Sequence, residues 1–201
     1  MFLIAPSFET DQLLDKRALR RSLRARRRAL STYSQRRAAQ RLAQRVRQLP
    51  WFIRAGSIAF YLAADGEIDP LPLLRLAWRR GKRTFLPSLR GKHLVFVEYR
   101  PAQPMRPNRL GIREPYGSVP IELSQLDVVC MPLVGFDRGG RRLGMGGGFY
   151  DRTFARRRTK QPMLIGLAHS LQECTALPHE PWDIPLRGVA TEREWIRVCD
   201  G

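Results

Sequence analysis

Apolar positions change their period along this chain, and the change marks its elements. In "DKRALRRSLRARRRAL" (15–30), Leu19, Leu23 and Leu30 fall on one side, Ala18, Ala25 and Ala29 lie nearby, and arginine fills the rest. Ala, Leu and Arg favour helix, and the spacing predicts an amphipathic one. "STYSQRRAAQRLAQRVRQLP" (31–50) repeats the theme. Ala39, Leu42, Val46 and Leu49 form its stripe, Ser31, Thr32 or Ser34 caps it, and Pro50 ends it. Short β-rich runs then take over. "SIAFYLA" (57–63) predicts a strand, Asp69 and Pro70 a helix start, Gly81 its stop, and "RTFLP" (83–87) another strand. Strand–helix–strand is the signature of a parallel sheet. "KHLVFVEY" (92–99) predicts a strand of a local hairpin or meander, and residues 100–122, rich in Pro and Gly, a long loop. "LDVVCMPLVGF" (126–136) is a near-continuous apolar run, as in a strand covered on both faces. A helix from Tyr150 to Arg158, a buried strand in "PMLIGLAH" (162–169) and two short strands in "VATEREWIRV" (189–198) complete an α/β pattern.

Composition narrows the classes. At 201 residues and 43% hydrophobic, the chain is expected to fold as a single domain over 1–201, with 1–12 as an N-terminal extension. No apolar run reaches bilayer length. The opening "MFLIAPSFET" lacks a preceding basic residue and is too short for a secretory signal, and Glu9 and Asp11 argue against a transit peptide. Cys130, Cys174 and Cys199 are odd in number and widely spaced, which argues against a disulfide framework or thiolate zinc and suits a reducing cytoplasm. Net charge is +18, but residues 16–47 alone hold thirteen Lys/Arg and no acid, so the rest of the chain carries only +5. Such an arm favours anionic partners: nucleic acid, a phosphorylated ligand or a polyanionic substrate.

One segment asks for chemistry. "DRGGRRLGMGGGFYD" (137–151) packs six glycines and three arginines between two aspartates. Glycine costs backbone entropy, so something must need bare backbone. The order is buried strand, glycine-rich loop, helix, the context in which main-chain amides cradle phosphate. Arginines add donors that match phosphate geometry, and Asp151 suits a magnesium ion bridging phosphates. No Gly-Lys-Ser/Thr follows, so it is no Walker loop, and the spacing is not that of a dinucleotide fingerprint. A phosphate loop and a tight structural turn both stay open on spacing alone.

Four blocks in register add a resemblance. "MPLVGFDRGGRRLGMGGGFYDR" (131–152), "KRALR" (16–20), "FYLAADGEID" (60–69) and "GIREP" (111–115) together resemble the signature of the 5-formyltetrahydrofolate cyclo-ligase family, also called 5,10-methenyltetrahydrofolate synthetases. The resemblance runs from Lys16 to Val198. It implies a three-layer α/β/α sandwich with a mainly parallel, Rossmann-like sheet, here carrying basic N-terminal helices. It also implies an enzyme that uses ATP and Mg2+ to convert 5-formyltetrahydrofolate to 5,10-methenyltetrahydrofolate, with release of ADP and phosphate. Residue by residue, it implies ATP contacts at Lys16, Arg17, Ala18, Leu19 and Arg20, and from Arg142 through Leu143, Gly144, Met145, Gly146, Gly147 and Gly148 to Phe149 and Tyr150. Leu62, Glu67, Phe149 and Tyr150 fall at substrate positions, Asp151 at the metal, and Arg142 and Tyr150 at catalytic positions. Many members have Tyr where Phe149 stands. Some hold metal through a second aspartate near the C-terminus, where Arg187 stands here, so a single protein carboxylate is expected.

Each residue has a plainer reading. Lys16 and Arg20 share a helix face but belong to a basic run that a solvated surface explains. Glu67 complements a helix dipole equally well. Phe149 and Tyr150 suit a core. His93, His169 and His179 show no ligand spacing and read as surface or satisfied core. Glu114 is either functional or orients its loop. Rival functions are a basic nucleic-acid-binding protein and an inactive folate-binding relative. A cytoplasmic monomer with no membrane partner is expected.

Overall fold

The computed structural model describes residues 8–108, 111–116, 119–155 and 161–198, with residues 8–15 described by their backbone alone. Residues 1–7 of the expected extension, and Cys199, lie outside them. Three helices come first: α1 (Phe8–Arg28), α2 (Thr32–Val46) and α3 (Pro50–Arg54). Ser31 caps α2 by accepting from the Ser34 amide at 3.2 Å. Pro50 opens a helix rather than only ending one, because proline's fixed φ suits a first helical turn.

Strand β1 (Ser57–Ala59), helix α4 (Leu71–Arg79) and strand β2 (Arg83–Arg90) form the expected unit, with β1 and β2 parallel. Asp69 accepts from the Leu71 amide at the start of α4, and Gly81 ends it at φ +68°. Only 57–59 of the expected strand 57–63 is strand; the Phe60 amide still donates to the Phe85 carbonyl at 2.8 Å, and 61–63 line a cleft. β3 (His93–Glu98) returns antiparallel to β2. Residues 100–122 are more than a loop: β4 (Met105–Pro107) and β5 (Arg113–Pro115) form a small hairpin, and β6 (Pro120–Ile121) edges β3. Buried Glu114 decides that hairpin by accepting from the Leu89 amide at 3.1 Å, a structural role.

The chain then crosses to the other side of β1. β7 (Val128–Pro132) pairs parallel with it, β8 (Gly135–Phe136) and β9 (Arg142–Leu143) form a hairpin, and α5 (Phe149–Phe154) follows. β10 (Met163–Leu167) and β11 (Gly188–Ala190) extend the parallel run, and β12 (Trp195–Arg197) closes it antiparallel. The eight-stranded order is β12-β11-β10-β7-β1-β2-β3-β6. Side-chain alternation supplies both faces. Ile58, Val128, Cys130 and Ile165 meet Leu42, Val46, Phe52, Leu73 and Ala77 from α2, α3 and α4. Ala59, Val129, Met131 and Leu164 meet Phe154 and Phe136 on the other. Leu42 is fully buried, and Leu42→Ala costs about 2–5 kcal/mol of stability. Asp127 accepts from the Gly56 and Ser57 amides, at 2.8 and 2.9 Å, fixing β7 to β1 at their amino ends. The carboxyl ends of β1 and β7 are the point at which chain order reverses. In open α/β sheets that crevice takes the ligand.

Candidate functional site

α1 lies across this crevice. Leu23 is buried with Val134, Leu143 and Leu177, and Leu19 packs beside them. A helix seated on one apolar face turns residues four apart toward the same neighbours. Arg20 accordingly meets the glycine segment, its Nε donating to the Gly144 carbonyl at 2.8 Å, while Lys16 Nζ lies 2.8 Å from Glu180 Oε1, in the loop before β11. One turn on, Arg24, Arg27 and Arg28 close on Asp65, in the loop after β1.

Arg27 is wholly buried, and sequence reasoning passed it over as one arginine among many. Its Nε donates to the Asp65 carbonyl at 2.8 Å, Nη1 to the Leu133 carbonyl at 3.1 Å, and Nη2 to Asp65 Oδ2 at 2.8 Å, with Glu67 Oε1 3.7 Å away. One guanidinium thus joins α1, the β1 loop and the end of β7. Burial alone would push the Asp65 carboxyl up, but hydrogen bonds from Arg24, Arg27 and Arg28 outweigh it and bring it down to about 2. Asp65 and Gly66 both take positive φ, +53° and +75°. A Cβ on Gly66 would sit 3.2 Å from the Arg27 carbonyl, so α1 and this turn meet backbone to backbone.

Glu67 follows. Burial pushes its carboxyl above the ordinary range, offset in part by the Ala64 amide and by Arg27. With Tyr61, Leu62, Leu71, Leu74 and Gln35 it lines a cleft of about 390 Å³, so the two expected substrate positions, Leu62 and Glu67, share one cavity.

The glycine segment lies outside that lining and meets α1 at the Gly144 carbonyl. Gly146 and Gly148 take φ +94° and +60°, backbone that side chains resist. Arg142 is almost fully buried and pairs through Nη2 with Asp151 Oδ1, while its Nε has no partner. The Ile184 amide also donates to Asp151 Oδ1, at 3.2 Å. Tyr150 stacks on Phe154 at 6.5 Å, and burial pushes its phenol upward, so it stays protonated at neutral pH. Phe149 carries the Arg152 guanidinium 5.3 Å above its ring. Both aromatics pack against the second core cluster and border the segment, so the core reading and the site reading meet.

Relatives match over the stretch of chain that holds these blocks. The 5-formyltetrahydrofolate cyclo-ligase family profile matches residues 12–192. The Escherichia coli K12 5-formyltetrahydrofolate cyclo-ligase is 44% identical over 174 residues, covering 84% of this chain and 96% of that one. The Haemophilus influenzae enzyme of the same name is 40% identical over 176 residues, covering 85% and 94%. The chain belongs to the 5-formyltetrahydrofolate cyclo-ligase family. The solved Aquifex aeolicus 5,10-methenyltetrahydrofolate synthetase superposes with a TM-score of 0.81 at 31% identity, covering 92% of this chain and 94% of that one.

Within that family frame, the expected residues divide. Arg20, Arg142, Gly144, Met145, Gly146, Gly147, Gly148, Phe149, Tyr150 and Asp151 lie in or against the segment that follows β7, Leu62 and Glu67 lie after β1, and Lys16 is paired with Glu180. Arg17 and Ala18 are exposed, while the Leu19 and Leu143 side chains sit in the small core under α1, so any nucleotide contact of those two is through backbone. α5 is described over Phe149–Phe154, shorter than the expected Tyr150–Arg158, whose end falls among residues 156–160, outside the described ones. Its dipole is correspondingly small. The expectation for His169 needs correction: it is buried, but its Nε2 has no partner, and burial depresses its pKa so that it is neutral at pH 7. It lies against Gly66, and nothing in its spacing announced that contact. Among the described residues, no three His, Cys, Asp or Glu converge as a metal cage. Among the described residues, both bonds to Asp151 fall on Oδ1, so its carboxylate could offer one oxygen to a metal ion. That donor set fits magnesium, which keeps water and substrate phosphates as its other ligands.

Proposed function

We propose that this site performs the ATP-driven cyclo-ligase reaction of its family on 5-formyltetrahydrofolate. A formyl carbon on nitrogen is a weak electrophile bearing a poor leaving oxygen. Transfer of the γ-phosphoryl group to that oxygen, with loss of ADP, corrects both. N10 of the folate then attacks the formyl carbon, gives up its proton as phosphate departs, and closes the 5,10-methenyl ring. The protein supplies position and charge rather than a nucleophile.

The nucleotide phosphates lie along Gly144–Gly148, with Arg20 and Lys16 reaching them from α1. Lys16 exchanges Glu180 for a phosphate oxygen. Arg142, held by Asp151 yet with a free Nε donor, steadies the transferring group. Asp151 would hold a magnesium ion, which would supply positive charge beside the phosphate oxygens. The folate occupies the cleft of Leu62 and Glu67, and the protonated Tyr150 phenol borders the reacting centre. The protein works as a monomer in the cytoplasm. The observation that carries this reading is the convergence of α1, the β1 loop and the glycine segment at one crevice, tied by Arg20–Gly144, Arg27–Asp65 and Arg142–Asp151.

The test is direct. Purified protein with folinic acid, ATP and magnesium should generate the methenyl chromophore, and omission of any one component should abolish it. Folate binding without ATP consumption would overturn the reading and mark an inactive relative.

A further inference from the structure

The proposed reaction absorbs only part of the charge. Lys16, Arg20, Arg24, Arg27 and Arg28 face the crevice with named partners. The arginines of α2 do not. Arg36, Arg37, Arg41 and Arg45 are exposed, and no ion pair reaches them among the described residues. Arg37, Arg41 and Arg45 recur every fourth residue, so they form one row with steps of about 6 Å. Like charges at that spacing repel and weaken a helix.

α4 widens the row. α2 and α4 pack together through Leu42, Val46, Leu73 and Ala77. Their carboxyl ends lie side by side, with Arg80 Nη1 donating to the Arg47 carbonyl at 2.9 Å. Arg75 and Arg79 of α4 are exposed and likewise have no ion-pair partner among the described residues. Neither helix contains an acid. Across residues 16–97 the only acids are Asp65, Glu67 and Asp69. Asp65 and Glu67 face the crevice, and Asp69 caps α4. Two adjacent helices therefore present arginines that no acid among the described residues pairs with.

Steering a small anion into the cleft does not account for this face. Gln35, near the start of α2, lines the cleft, whereas Arg47 lies beyond the other end, about 18 Å along the axis. A membrane surface fits poorly too: α2 spends its apolar stripe on the core, and of its neighbours only Tyr33 and Ile53 are exposed large hydrophobics. With no row of exposed aromatics, the face lacks the stacking platform of single-strand binders. Guanidinium groups in rows, without bases to read, match phosphates held at regular spacing.

We propose that the α2–α4 face is a docking surface for the phosphate backbone of a double-helical nucleic acid, read without sequence preference.

Fluorescence anisotropy with a labelled 20-base-pair RNA duplex and its DNA counterpart, from 50 to 200 mM salt, tests it. The intact protein binds both duplexes, with log Kd rising linearly with log salt. Combined Arg37→Gln, Arg41→Gln, Arg45→Gln and Arg75→Gln raise Kd at least about tenfold and lower the slope by up to about 4, while methenyl formation, which also reports correct folding, stays unchanged. The same four positions changed to Lys keep the slope, so the proposal remains testable should the Gln variant not fold. Absence of duplex binding at 50 mM salt, an unaltered Kd or slope in the Gln variant, or tighter binding to phosphatidylserine vesicles than to either duplex would each overturn it.

Discussion

α1 and α2 are nearly the same helix on paper, arginine-rich, apolar on one stripe and almost free of acids over the basic run, yet they end in opposite situations. α1 turns one face of its cations, Lys16, Arg20, Arg24, Arg27 and Arg28, onto Asp65, Glu180 and the carbonyls of Gly144 and Leu133, and leaves Arg17, Arg21 and Arg26 exposed. α2 turns Arg37, Arg41 and Arg45 to solvent without partners. Composition does not separate them. The difference is what each helix lies across: α1 spans loops that leave the carboxyl ends of β1 and β7, rich in carbonyls and acids, while α2 lies on the apolar face of the sheet. Burying a guanidinium without partners is costly, so Arg27 is fixed in place by its acceptors, and the exposed arginines of α2 are not.

The largest expected effect follows from this. Arg27→Met leaves Asp65 and Glu67 without their buried cation and should cost about 3–5 kcal/mol in thermal or urea unfolding; a loss no greater than at an α2 arginine would erase the contrast. Arg142→Ala and Asp151→Asn remove the pair facing the glycine segment. Each should lower kcat on the order of 100- to 1000-fold with the unfolding midpoint of Asp151→Asn nearly unchanged, measured by methenyl absorbance and circular dichroism. Next comes acid. Asp65 is lowered from 3.8 to about 2, so its contribution is complete above pH 3.8 and is lost as pH falls through about 2. Unfolding followed from pH 5 to pH 2 should therefore lose stability more steeply in the parent than in Asp65→Asn, and parallel curves would show that the three arginines do not hold the carboxylate. The smallest effect belongs to α2: Arg41→Gln should change stability by less than about 0.5 kcal/mol, in the stabilising direction because it relieves like-charge neighbours.

The sequence made the strand–helix order readable because period and punctuation agreed: Asp69 and Pro70, Gly81, and the continuous apolar run of β7 all stand where expected. It made Lys16, Arg20 and the glycine segment stand out because helix spacing and bare backbone are local signals, and Arg20 does meet that segment at the Gly144 carbonyl. It hid Arg27, since nothing in "RARRR" says which arginine will be swallowed; only the close approach of α1 to Gly66 decides that. It hid His169 for the same reason, and it hid the β4–β5 hairpin because a three-residue strand among prolines carries too few alternations to register.

The account rests on α1 and the glycine segment forming one nucleotide-binding wall, separate from α2. A crystal structure with a non-hydrolysable ATP analogue and magnesium tests that directly. The triphosphate should lie against Gly144–Gly148, within hydrogen-bonding reach of Lys16, Arg20 and Arg142, with the metal on Asp151. A triphosphate bound along the arginines of α2, or a glycine segment turned away from the ligand, would contradict it.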